Sequence, residues 1–214
     1  MTISSQSARD LTANITALSD KSVALMHQRS MSDEAVTTFQ NILQKVQEIH
    51  DPKAALRSLS AEELDVVRQA HSLAESINIS VLSDEGAANL LNAPGHTKDL
   101  NNDGLTTIGE GNMFTFPPDN APASFKAAWE EASDGLSTMD IPTHMIFAVG
   151  LANIGREPGD PNWVNPYASP DYDYGAAVSE IIESVEYQYN HNMMSFEQYQ
   201  KNMSFYNTLT EALA

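Results

Sequence analysis

Residues 99 to 110 read Asp-Leu-Asn-Asn-Asp-Gly-Leu-Thr-Thr-Ile-Gly-Glu, with acidic or amide oxygens at the alternate positions Asp99, Asn101 and Asp103 and a distal carboxylate at Glu110. Gly104 stands where a chain that bends sharply needs conformational freedom. A hard divalent cation such as Ca²⁺ takes roughly six to eight oxygens at short range, from carboxylates, amides, a backbone carbonyl and water. Side chains of these types at this spacing suit that demand. On the chain's own composition, the five fixed positions would coincide by chance in roughly one chain in a thousand.

The segment resembles the 12-residue calcium loop of the EF-hand family, and the resemblance is confined to these residues. It implies Asp99, Asn101 and Asp103 as side-chain ligands, Gly104 as the bend and Leu105 as a carbonyl ligand. Thr107 falls where a water often bridges, and Glu110 where a bidentate carboxylate closes the shell. Thr106 replaces the apolar residue with which two such loops pair. Pro94 and Gly95 interrupt the incoming helix, and Gly111 and Pro117 shorten the outgoing one. The nearer likeness is therefore to isolated EF-hand-like loops that staple a fold, not to a paired switch that opens. Three carboxylates, with Lys98 adjacent, imply weaker binding than a high-affinity cytosolic buffer.

Other constellations are less specific. The loop from Arg156 to Tyr174 gathers Arg156, Glu157, Asp160, Trp163, Tyr167, Asp171, Tyr172, Asp173 and Tyr174. That mixture could hold a sugar, a peptide or a second cation. It could equally anchor the loop on the helices, with its aspartates capping the next one, and composition favours this second role. None of the six histidines, His27, His50, His71, His96, His144 and His191, has metal-ligand spacing, and calcium avoids nitrogen. No G-x-S-x-G elbow, P-loop or dinucleotide fingerprint occurs. The pairs Glu130-Glu131 and Glu180 with Glu183 read as solvated helix faces.

The positioning elements must come from a chain of 214 residues with 42% hydrophobic content, enough for one domain or two small ones. Cysteine is absent, which excludes disulfide scaffolds, thiol catalysis and cysteine-held metals. Twenty-nine acidic against 11 basic residues give a net charge of −18, which opposes nucleic acid and anionic membranes as partners. Residues 99–214 hold 17 of those acids and only 3 of the bases, so the second half attracts cations. No run reaches the roughly 18 apolar residues of a membrane span, and residues 1–22 lack the basic and apolar regions of an ordinary signal peptide. The expected location is cytoplasmic, or exported by a route that reads other signals.

Apolar periodicity predicts helices over 9–28 and from Ser32-Asp33-Glu34 through Ile49. It then predicts a short helix over 54–59 and another opened by the capping box Ser60-Ala-Glu-Glu63. Ile77, Ile79 and Val81 alternate over too short a stretch to separate extended from helical backbone. Further helices are expected at 84–91, 122–134, 140–154 (with Pro142 in its first turn), 178–189, and after a second capping box, Ser195-Phe-Glu-Gln198. The fold class is thus all-α, an irregular multi-helix domain or two small lobes: 1–92, a connector 93–120 carrying the calcium loop, and 121–214. Two functions fit this chain. One is a non-enzymatic calcium-binding protein whose ion orders an interdomain loop and a surface for a protein partner. The other is a hydrolase acting on glycan or peptide at residues 156–174, with calcium structural.

Overall fold

A computed structural model describes residues 18–137 and 139–214. Among the described residues the chain is mostly helical, with nine helices and one two-stranded hairpin. It divides into two compact units, the first ending at Met113 and the second running from Phe114 to Ala214. No helix among the described residues is long and apolar enough to cross a membrane.

In the first unit α1 spans Asp20–Gln28, α2 Asp33–Val46, α3 Pro52–Arg57, α4 Ala61–Ala70 and α5 Asp84–Leu90. The portion of the first predicted helix carrying Leu11 and Ile15 lies outside the described residues. Each start has a side-chain cap: Ser19, Ser32, Asp51, Ser60 and Ser83 accept backbone N–H groups that the helix itself leaves unanswered. The predicted box at Ser60 and Glu63 is complete in both directions. α2 buries Val36, Phe39, Ile42, Leu43 and Val46 on one face, and these join Met26, Leu56, Val67 and Leu90 in a single core. Ile49, expected on the same helix, lies beyond its end.

The chain departs from an all-α reading at β1, Thr106–Ile108, and β2, Gly111–Met113, which pair antiparallel with Thr107 opposite Asn112. The physical reason is local. Thr106, Thr107 and Ile108 are β-branched, and a two-residue connection begins with Gly109 at φ +62°, the backbone a tight hairpin turn requires. Ile77 to Val81 forms neither helix nor strand.

In the second unit α6 spans Ala123–Ser133, α7 Ala148–Ala152, α8 Tyr174–Asn190 and α9 Phe196–Leu213. Aromatic side chains carry this core: Trp129 of α6 meets Phe205 of α9 edge-on at 5.0 Å, and Phe125 stacks on Tyr174 at 4.1 Å. The predicted helix over 140–154 shrinks to five residues, preceded by turns. Pro142 lacks a donor, and buried Asn153 ends the element by donating to the Val149 carbonyl at 2.7 Å. At the second predicted box Ser195 caps Gln198 N–H, but the Gln198 amide turns to Asn202 instead of back to Ser195.

His71, at the end of α4, is buried against Phe39, and its Nε2–H donates to the Leu90 carbonyl at 3.1 Å. Burial, helped by the charge of Arg29, lowers its pKa to about 4. A histidine held neutral in the fold stabilises fully above its unfolded pKa, and that stability drains as pH falls from about 6.5 through 4. His71→Gln should therefore flatten the acid limb of the stability curve by on the order of 2–3 kcal/mol relative to wild type. Urea unfolding followed by circular dichroism at pH 7, 5.5 and 4.5 measures it, and parallel limbs for the two proteins would refute it.

Candidate metal centre

An irregular segment follows the end of α5 at Leu90 and leads into the loop at Asp99, which runs into the hairpin, all within the first unit. Asp99 is half-buried and closes the turn, with Oδ2 accepting Gly104 N–H at 2.8 Å and Oδ1 accepting Asp103 N–H at 3.2 Å. Gly104 sits at φ +87° and Asn102 at φ +56°, so the chain bends through two left-handed residues, the first an asparagine that tolerates the region. Asn101 Oδ1 accepts Asp103 N–H at 2.8 Å, its amide donates to Asp103 Oδ2 at 3.0 Å, and Asp103 Oδ1 accepts Leu105 N–H. The structure thus brings Asp99, Asn101 and Asp103 onto one turn, with Leu105 buried beneath.

Thr107 and Glu110 stand apart from that turn. Thr107 lies in β1, where its hydroxyl donates to Asn112 Oδ1 at 2.8 Å. Glu110 is the second residue of the hairpin connection. It is exposed, and it lines a groove of about 190 Å³ with Leu73, Glu75, Ile77 and Leu82. Among the described residues, no three Asp, Glu or His side chains form a group that could hold a metal ion.

The main residue missed by sequence reasoning is Glu85 on α5. It is 2% exposed, and its carboxylate answers the loop's backbone: Oε1 accepts Thr107 N–H at 2.7 Å, and Oε2 accepts Leu100 N–H at 3.1 Å and Asn101 N–H at 3.4 Å. Burial pushes its pKa up to about 7, with the like charges of Asp99 and Asp103 adding to the rise against those N–H bonds. Burial also raises Asp99 to about 6, with Asp103 adding like charge and the Gly104 N–H opposing. Asn89, fully buried one turn further along α5, donates to the carbonyls of Lys98 and Thr107 and accepts Lys98 N–H. A loop-internal motif carries no signal for either residue. The only hint was an acidic first turn after the Ser83 cap.

In the 156–174 loop, Tyr167 is buried and its hydroxyl donates to the Met145 carbonyl at 2.7 Å, while Asp173 caps α8 through Ala176 N–H. Asp160 accepts Asn162 N–H at 2.7 Å. No protein-family model, curated protein or solved structure matches the chain.

Beside the Glu85 and Asn89 bonds to Thr107, a backbone contact joins the helix to the hairpin: Gly109 N–H donates to the Gly86 carbonyl at 3.1 Å. A Cβ on Gly86 would stand 2.1 Å from the Gly109 carbonyl oxygen. Ala ordinarily stabilises a helix interior by up to about 1 kcal/mol over Gly. Gly86→Ala should invert that sign, costing about 2 kcal/mol or more as α5 and the hairpin separate. Glu85→Ala should cost about 2–4 kcal/mol by leaving three loop N–H groups unanswered. Denaturant unfolding tests both, and a stabilised Gly86→Ala variant would contradict the packing.

Proposed function

We propose that the protein is a non-enzymatic, calcium-binding helical protein in which Ca²⁺ structurally orders the 99–110 segment, just before the chain enters its second unit, and with it a surface for a protein partner. The observation that carries this reading is the turn on which Asp99, Asn101 and Asp103 already converge, closed by the Asp99 to Gly104 bond. Two of its three oxygen-bearing side chains are carboxylates, and the like charge of Asp103 contributes to holding Asp99 above the ordinary range. A divalent cation relieves that repulsion, and the donors are hard oxygens, the chemistry Ca²⁺ takes.

Asp99 and Asp103 would hold the ion with carboxylate oxygens, Asn101 with its amide oxygen, Leu105 with its carbonyl and Thr107 directly or through water. Glu110 would complete the shell from the hairpin turn, and Ca²⁺, whose coordination is flexible, accommodates a ligand from a separate turn better than Mg²⁺ does. Glu85 would position the loop from behind through its backbone N–H groups. The ion's part is a fixed charge that neutralises the carboxylates and pins the bend.

Titration calorimetry should show one Ca²⁺ per chain, bound in preference to Mg²⁺. A ligand of the folded state stabilises by mass action, about 2.7 kcal/mol at a hundredfold excess over Kd, so Tm should rise on the order of 5–10 °C. Asp99→Ala and Glu110→Gln should abolish the rise, and Asp171→Asn should leave it intact. A rise that NaCl reproduces, or that survives Glu110→Gln undiminished, would mean general screening of the acidic chain and would overturn the reading.

A further inference from the structure

The second unit carries a groove of about 520 Å³ between α6 and α9, within the range of roughly 300–1,000 Å³ that small ligands and side chains occupy. Its lining mixes apolar and polar groups: Phe205, 3% exposed, lies with Ser204 and Thr208, and Leu136, 42% exposed, leaves much of its side chain open to a partner. Its rim is acidic, with Glu131 and Asp134 at the end of α6 and Asp140 across from α9. At one edge the protein already seats a cation of its own. Lys201 lines the groove and places its ammonium 3.4 Å from Asp140 and 3.5 Å from Glu197. Exposed Leu136 with Glu131 and Asp134 describes a surface that receives amphipathic cations, beside the Asp140 carboxylate that Lys201 already neutralises.

We propose that this groove docks a short basic segment of another protein, with an aliphatic or arginine stem over Leu136 and its charged head between Glu131 and Asp134. Arginine suits it best, because its guanidinium presents donors in a fork that two neighbouring carboxylates can share. A second copy of the chain is a poor source: only 11 of 214 residues are basic, and 3 of those fall in residues 99–214. The partner is therefore a different and positively charged protein. The groove is independent of calcium, since all its residues belong to the second unit.

The probe is a short fluorescein-labelled peptide alternating Arg and Leu, titrated with the full chain by anisotropy at physiological salt. The same peptide with Glu in place of Arg serves as comparison. The Arg peptide should bind and the Glu peptide should not. Glu131→Lys with Asp134→Lys should weaken binding by about tenfold or more. Leu136→Ser should also weaken it, and Glu183→Lys with Glu186→Lys on α8, an equal change in net charge, should stay within about twofold. Circular dichroism checks folding, and Glu131→Gln with Asp134→Asn replaces the reversal pair if that pair unfolds. Equal losses from the groove and α8 pairs would reduce the effect to diffuse attraction by an acidic protein and overturn the proposal. So would the absence of binding by the Arg peptide at millimolar protein.

Discussion

An irregular stretch of chain can be buried only if its backbone N–H and C=O groups find partners, because an unanswered one costs as much as a lost hydrogen bond. That constraint organises the first unit. The segment from Asn92 to Leu105 has no helix or strand of its own, and α5 supplies its partners from buried side chains. Glu85 accepts three N–H groups, and Asn89 spans from Lys98 to Thr107. A seven-residue helix thus acts as the template on which the loop is laid. The close approach of Gly86 to Gly109 is the steric counterpart of the same arrangement.

The electrostatic consequence is a tension within one unit. Glu85 and Asp99 are held above the usual carboxylate range, so the fold gains from these groups at low pH and loses as pH rises through about 6 to 7. His71, held near 4, works in the opposite direction over an overlapping window. Stability near neutrality is then a balance between a neutral imidazole, which favours higher pH, and crowded carboxylates, which do not. A cation at the loop would relieve only the carboxylate side of that balance.

The helices of the first unit were legible because their signals are local. A serine before a periodic apolar run caps whatever follows, as at Ser32, Ser60 and Ser83, whereas Asp51 caps a helix that starts two residues before the expected 54–59. The turn at Asp99 to Gly104 was legible for the same reason, since its oxygens bond N–H groups within five residues. What stayed hidden acts at longer range. Thr106 to Met113 serves as the tail of a loop motif and as a hairpin, and the motif reading masks the strands. Glu85 lies 14 residues before Asp99, so no spacing rule within the loop reaches it. The 140–154 helix failed at its end, where Ala152 faces solvent and the polar Asn153 turns inward beside buried Met145 and Val149.

Asn153 shows that the device of the first unit recurs in the second. It donates to the Val149 and Val164 carbonyls and accepts Val164 N–H at 2.8 Å, tying the long loop after α7 back to that helix. Like Asn89 it is almost fully buried, and like Asn89 it answers both a donor and acceptors of a segment lacking regular structure. An amide suits this task because it carries both functions without charge, whereas a carboxylate can only accept and resists burial. Glu85 takes the costlier route where the groups it faces are N–H donors. That choice sets a raised carboxylate beside Asp99 and Asp103, so the same requirement that fixes the loop's backbone also crowds three acidic groups together.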